Sequence, residues 1–597
     1  MQGPRHDGRI RPAAAPRARA CRVRRLPAPL ALSELACAWA DRGPLVLLDS
    51  ADPDGGRARW SVLGAEPFAV FTAGPDGCTL DGEAVAGSAL EALDAVLARY
   101  ALPAEAGATL PFRGGALGYL AYELLHELEE VPAAAADDLP VPRAQLLLCD
   151  AALVHDHDRD ETWLVANGFG EEAAEAAARA DARLAQWAAR VAGTAVGPAP
   201  APRVPDPQRL DEAALVARGV VPRLDAVAYR AVVARARAHI RAGDLFEVCT
   251  TNRFQTGFTG DTAALYRALR RVNPAPFAAW LKLPGVEVLS ASPERFLRRD
   301  ARGSVETAPI KGTRPRAADP AADRALRDAL AASEKDRAEN VMIVDLARND
   351  LGRVCGLGSV SVPSLCAVHS YAFVHQLVST VRGRLRPGTS TGALLRAAFP
   401  GGSMTGAPKV EAMRRIAALE PVARGVFSGA IGYVDFEGAL DLSIVIRTFV
   451  KVGDALTFHV GGAVVWDSDP ASEHQEILDK AAGLVAALDL VCEHEPPGRR
   501  ANVTETARAQ APGRRANVTE TARAQAGRRS LRVGRSGPGG GRARRVPREH
   551  RPPAGGRTSR RPRERRPPGR RANVTEGDDR SGSDVRGLAG AEHAPCG

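Results

Sequence analysis

The chain has 597 residues and nine cysteines, all standing singly with no CxxC pair, which allows a sizeable core and argues for a reducing cytoplasm and against a disulfide framework or a zinc site. No apolar run reaches the ~20 residues of a membrane span, so no membrane partner is expected. The formal net charge of +10 belongs to the tail: residues 497–597 hold 25 Arg, no Lys and 9 Asp+Glu, a net of +16, leaving −6 on residues 1–496, so nucleic acid is not an expected partner.

Residues 1–25 are basic and rich in Pro and Ala, with no apolar segment of signal-peptide length after them, and are expected to be a disordered arm. Residues 26–195 form an N-terminal globular region. Within it PLVLLDS (44–50), FAVFTA (68–73), QLLLCDAALVHD (145–156) and ETWLVA (161–166) read as strands. Residues 171–191, rich in Ala, Glu and Arg, read as a helix. The Pro/Ala-rich stretch 197–207 marks a linker over 196–220. In the region 221–492, strands are expected at 286–293, 304–309, 439–452 and 455–466, and helices at 225–242, 261–271, 318–347 and 471–489. Hairpin-like strand pairs with long helices predict an α+β layered fold rather than a parallel doubly wound sheet. Neither GxGxxG nor GxxxxGK[ST] occurs, so no nucleotide phosphate loop is indicated. In the Arg/Gly/Pro-rich tail, 493–597, PGRRANVTETARAQA repeats at 497–511 and 512–526, and PGRRANVTE returns at 568–576. Such composition cannot bury enough surface to offset chain entropy, so a solvated, disordered extension is expected.

Four segments carry candidate chemistry. In SEKDRAENVMIVDLARND (333–350), Asp336 and Glu339 share a helical face and Ser333 suits the N-cap. In ASEHQEILDKAAGL (471–484), Glu473, Glu476 and Lys480 again share a face, with Ser472 as candidate cap. Either segment alone is equally an amphipathic helix with a solvated acidic face. Together they offer the oxygen ligands magnesium requires. In TAPIKGTRPR (307–316), Lys311 follows a strand beside Gly312 and Thr313. A lysine, unlike an arginine, can lose its proton and act as a nucleophile; a solvated loop lysine is the alternative. In FPGGSMTGAPKVEAMRRI (399–416), glycines and hydroxyls precede a helix whose free N–H groups would suit a carboxylate.

In this order, and with SASPERF (290–296), SGAIGYVDFEGALDLSIVIRT (428–448) and GGAVVWDSDPASEHQEILDKA (461–481), these blocks resemble the chorismate-utilising enzymes. That group holds anthranilate synthase and aminodeoxychorismate synthase large subunits, isochorismate synthases and salicylate synthases. The resemblance covers about residues 26–490. It implies an anthranilate-synthase-like fold of two packed antiparallel β-sheets flanked by helices. It implies Mg²⁺ held by Glu339 and Glu476, with Asp336 and Glu473 acting through water. It implies that Ser403, Arg447, Gly462, Ala463 and Lys480, with Gly312 and Thr313, surround chorismate. Glu294 matches the group's general acid/base and His375 its active-site histidine. Phe427 stands where many relatives carry tyrosine, and Ala463 replaces a glycine of anthranilate synthases.

Lysine at 311 resembles the aminodeoxychorismate synthase branch, whereas anthranilate synthases carry alanine there. Isochorismate and salicylate synthases place a basic lysine at about Glu247. The resemblance thus implies C4 amination of chorismate through a covalent Lys311 intermediate, serving 4-aminobenzoate and folate or a derived secondary metabolite. No cysteine lies in a GxCxG-like elbow, so ammonia is expected from a separate glutamine amidotransferase subunit. Alternatives are an anthranilate synthase, or a non-catalytic chorismate- or tryptophan-binding regulator. Relatives bind tryptophan near an LLxS element; the matching residues here are Ser50, Arg57, Ala58, Arg59, Trp60, Pro276, Phe277 and Ala278, and an ordinary apolar core between sheets is the alternative.

Overall fold

β-branched and aliphatic stretches with short turns pair into two antiparallel twelve-stranded sheets. The computed structural model describes residues 16–52, 59–102, 110–134, 136–198, 210–371 and 373–492, all within one compact unit. Arg57, Ala58, linker residues 199–209 and the tail from 493 lie outside the described residues.

The first sheet runs Ala18–Arg25, Glu161–Gly170, Ala151–Asp156, Trp60–Ala65, Leu45–Asp49, Phe277–Leu283, Val286–Ser292, Thr448–Val452, Ala455–Val464, Glu247–Gly257 and Val221–Pro222, with Gly406–Ala407 also on Glu247–Gly257. The second runs Ile310–Pro315, Val374–Arg384, Ser304–Thr307, Arg295–Arg299, Leu440–Ile444, Ala430–Asp435, Gly115–Leu120, Ala144–Cys149, Ala69–Gly74, Gly77–Leu80 and Glu83–Val85, with Ser361–Ser370 also on Val374–Arg384. Both sheets therefore interleave strands from before and after the linker, as where Leu45–Asp49 pairs Phe277–Leu283.

The sheets face each other through Val46, Val62, Leu281 and Val288 from one and Leu117, Tyr119, Leu147 and Ile431 from the other. Helices cover the outer faces. Leu265, Ile477 and Leu484 pack on Phe254, Phe449 and Phe458, and Leu90, Leu93 and Leu394 pack on Leu146, Leu297 and Leu442. Each such fully buried side chain stabilises the fold by about 1.5–3 kcal/mol.

Local outcomes differ from the sequence reading at several points; helix Glu212–Ala217, for one, stands inside the stretch assigned to the linker. Residues 18–25, assigned to the disordered arm, form an edge strand on Glu161–Gly170; Arg22 and Arg25 find Asp181 at 2.7 Å and Glu161 at 2.6 Å, which answers their charge. The single strand read over 439–452 is two, Leu440–Ile444 and Thr448–Val452, in different sheets. The chain crosses between sheets at Arg447, whose φ is 51°. The helix read over 318–347 is two, Pro320–Ala332 and Glu334–Gly352. Ser333 separates them, and its Oγ accepts from the Asp336 amide at 3.3 Å as the N-cap of the second.

Candidate active site

Helix Glu334–Gly352 carries the first acidic pair. Its rotation is set from the buried side: Asn340 donates to the Leu377 carbonyl at 3.2 Å and accepts from Ser379. Glu339, one residue away, is thereby turned toward strand Ile310–Pro315. Gly312 on that strand, with φ 83°, lies so close to the helix that a Cβ there would stand 2.9 Å from Asp336 Cβ. Helix Pro470–Cys492 carries the second pair. Asp469, not Ser472, caps it, accepting from the Ser472 amide at 2.9 Å and the Ala471 amide at 3.1 Å; the helix begins at Pro470, ahead of the start at Glu473 that a Ser472 cap would give. A Cβ on Gly462 would lie 2.8 Å from Glu473 Oε2 and 3.6 Å from Glu476 Oε1. The absence of a side chain at 312 and 462 is what lets both acidic helices approach their strands.

Lys311 Nζ donates to Glu247 Oε1 at 2.6 Å. Lys311 stands on the second sheet and Glu247 opens strand Glu247–Gly257 of the first, so the ion pair joins the two sheets. Burial acts to lower the Lys311 pKa, but the charge and hydrogen bond of Glu247, with Glu339 adding, hold it above the usual lysine range. Burial pushes the Glu339 carboxyl up to about 7, with Lys311 opposing the rise and Glu247 adding to it. Burial likewise raises Glu473.

Glu294 lies next to this pair. Ser403 Oγ donates to Glu294 Oε1 at 2.5 Å, and the amide of Ile310, the residue before Lys311, approaches the same oxygen at 3.4 Å. Lys480 reaches the Gly461 carbonyl at 2.7 Å and Glu476 at 2.7 Å. The structure thus gathers Lys311, Glu247, Glu339, Asp336, Gly312, Glu294 and Ser403 about one seam, and Glu473, Glu476, Lys480 and Gly462, with Ala463 beside it, about the end of strand Ala455–Val464. Thr313 is exposed on the Lys311 strand.

Other candidates are held differently. Both ring nitrogens of His375 are taken, by Ser370 Oγ at 2.8 Å and Asp323 Oδ1 at 3.0 Å. Phe427 is buried and stacks on His459 at 4.9 Å. Arg447 is half-buried, and among the described residues its guanidinium has no hydrogen bond or ion pair; burial alone holds its pKa below the usual arginine value. Arg59, Trp60, Pro276, Phe277 and Ala278 line a cavity of about 570 Å³ between the sheets, with Asp49 and Asp158 on its wall. Ser50 is buried, with its amide on Ser61 Oγ at 2.9 Å.

Among the described residues no three His, Cys, Asp or Glu side chains already stand as a metal cluster; Asp336 is held by Arg314 at 2.8 Å. The donor set nevertheless fits a hard cation, being oxygen only, and Glu473 Oε2 is buried without a hydrogen-bond partner. Glu247 is the site residue whose role sequence reasoning missed. Its one signal is a carboxylate that opens an otherwise uncharged run, EVCTTN, and is 0% exposed.

Residues 44–486 match the family described as chorismate binding enzyme. The chain is 46% identical over 466 residues to an aminodeoxychorismate synthase of Streptomyces pristinaespiralis, an alignment covering 75% of this chain and 62% of that protein. It thus spans less than two-thirds of that relative's length. It is 39% identical to aminodeoxychorismate synthase component 1 of Klebsiella aerogenes, covering 74% of this chain and 93% of the relative. The crystal structure of anthranilate synthase component I from Streptococcus pneumoniae superposes with a TM-score of 0.61 at 30% identity, covering 72% of this chain and 92% of that one. With its family match spanning most of the chain and its two packed sheets shared with that structure, this chain belongs to the family of chorismate binding enzymes.

Proposed function

We propose that the chain is an aminodeoxychorismate synthase large subunit, replacing the C4 hydroxyl of chorismate with an amino group to give 4-amino-4-deoxychorismate. The observation that carries this reading is Lys311, part-buried between the sheets with the buried Glu247 as its partner and Glu294 on the amide of the preceding residue, Ile310. A site built only to bind chorismate, or only to eliminate pyruvate from it, has no need of an amine with its own buried carboxylate.

The chemistry follows from the pair. Paired with Glu247, Lys311 is an ammonium and has no lone pair, so Glu247 must first accept its proton. The neutral amine then attacks C2 of the ring. Both ring double bonds shift, C1=C2 to C1=C6 and C5=C6 to C4=C5, the C4–O bond breaks, and Glu294 protonates the departing hydroxyl, which leaves as water. Ammonia adds at C4 and gives a proton back to Glu294, both double bonds return to their original places, and the C2–N bond breaks to release Lys311 with its electron pair. Ser403 orients Glu294 through the 2.5 Å hydrogen bond. Arg447 supplies an uncompensated cation for a chorismate carboxylate. Magnesium would be held by Glu339 and Glu476, with Asp336 and Glu473 behind, and would neutralise carboxylate charge on the substrate.

Ammonia is proposed to come from a separate glutamine amidotransferase subunit, a reading supported by the "component 1" in the name of the Klebsiella relative. The inter-sheet cavity lined by Trp60 and Phe277 is proposed to take tryptophan. A cytoplasmic setting suits the eight described cysteines, all free, and no described helix is long and apolar enough to cross a membrane.

The test is product analysis with chorismate, Mg²⁺ and ammonium. Aminodeoxychorismate without pyruvate is expected; anthranilate with stoichiometric pyruvate would overturn the reading.

A further inference from the structure

We propose that Arg424 is a positioning residue for the reaction: it clamps the loop bearing Ser403 against the strand bearing Glu247, so that the Ser403–Glu294 and Glu247–Lys311 contacts are held in one geometry. The inference rests on the reading above only in naming the reaction.

Arg424 is 2% exposed, and all five of its N–H donors are used. Nε reaches Glu420 Oε2 at 2.8 Å and Nη2 reaches Glu420 Oε1 at 2.6 Å. Nη2 also reaches the Cys249 carbonyl at 2.9 Å; Nη1 reaches the Met404 carbonyl at 2.7 Å and Ser428 Oγ at 3.2 Å. The guanidinium lies 4.7 Å from the Tyr122 ring centroid. Glu420 is fixed in turn by the amide and hydroxyl of Thr251, both at 2.9 Å.

The two carbonyls identify what is being held. Met404 follows Ser403, which grips Glu294. Cys249 lies two residues beyond Glu247, on the same face of its strand, which grips Lys311. Backbone pairing ties the two segments at 405–407: the Cys249 amide meets the Thr405 carbonyl at 2.9 Å and the Phe246 amide meets the Ala407 carbonyl at 2.8 Å. Position 404, the point nearest Ser403, is held to the strand through Arg424. A planar five-donor fork can meet two carbonyls and a carboxylate at once; an ammonium cannot. Without the fork, the Met404 and Cys249 carbonyls lose a buried donor and the loop is free to shift relative to Glu247. Displacements of ~1 Å in such contacts change rates by ~10²-fold.

A purely structural buried ion pair would lower stability without a selective effect on turnover. The full-length chain is therefore assayed with chorismate, Mg²⁺ and ammonium as Arg424→Lys and as Glu420→Gln, with circular dichroism and thermal unfolding alongside. Rates are followed as chorismate consumed, so the result does not depend on which product forms; the product made by the parent enzyme tests the proposed reaction separately. For folded Arg424→Lys we expect kcat to fall about 10–100-fold with chorismate KM changed by less than about threefold, and the pH–rate profile to change shape. Glu420→Gln should show a smaller fall with the same split. If Arg424→Lys does not fold, Glu420→Gln alone decides. Unchanged kcat in a folded variant, or a loss that only tracks the unfolded fraction, overturns the proposal.

Discussion

Lys311 and Glu247 form an ion pair through which the amine of the Ile310–Pro315 strand reaches across to the other sheet, at 2.6 Å, with the carboxylate fully buried. Its sign with pH is testable. Glu247 raises the Lys311 pKa, so the pair's contribution to stability is fully present below the unfolded lysine value of ~10.4 and is lost only as pH rises through the higher folded value. In Glu247→Gln burial prevails and lowers the folded value below the unfolded one. The variant is then destabilised at neutral pH and recovers as pH approaches ~10. Unfolding temperatures from pH 7 to 10 should rise for the variant relative to the parent; parallel curves would contradict the pairing.

Removing the amine should abolish chemistry while sparing binding. Lys311→Ala is expected to lose more than about 10³-fold in kcat, as for loss of a group that acts as a unit with its partners. Chorismate affinity in Mg²⁺, followed by calorimetry, should change little. Rapid quenching of the parent reaction should show a chorismate-minus-water adduct on the peptide containing Lys311. A Lys311→Ala enzyme that still aminates would remove the covalent role.

Glycine at 462 and 312 keeps the acidic helices close to their strands. Gly462→Ala places a methyl 2.8 Å from Glu473 Oε2. It should cost about 1–3 kcal/mol of stability and weaken activation by Mg²⁺ in a titration of rate. Gly312→Ala meets Asp336 and must also adopt φ 83°, adding about 1–2 kcal/mol. Magnesium activation identical to the parent in Gly462→Ala would mean that Glu473 and Glu476 do not hold the ion.

The acidic faces were legible in the sequence because helical spacing is local: Asp336 with Glu339, and Glu473 with Glu476, need only the 3.6-residue period to share a side. The Ser333 cap was legible for the same reason. Glu247 was not, since it meets Lys311 from a different sheet, 64 residues away, and no local period encodes which strands of two sheets lie opposite. The crossing at Arg447 was hidden for a related reason. Residues 439–452 are uniformly strand-forming, and only the left-handed turn at one arginine sends the chain from one sheet to the other. Asp469 displaced Ser472 as a cap because the helix starts earlier than its apolar pattern requires.

Arg447 offers a test in which stability and affinity move in opposite directions. A half-buried guanidinium with no partner among the described residues, at φ 51°, destabilises the empty protein. In the function proposed above, that charge meets a carboxylate of the incoming substrate. Arg447→Gln should therefore raise the unfolding temperature of the unliganded chain, or leave it unchanged, since a desolvated charge is removed without orphaning a carboxylate. The same substitution should raise chorismate KM about 10–150-fold, the loss of charge-assisted hydrogen bonds worth about 1.5–3 kcal/mol. Added chorismate should stabilise the parent against heat far more than the variant. A variant that loses stability and keeps its KM would mean that Arg447 has a structural partner in solution and does not meet the substrate.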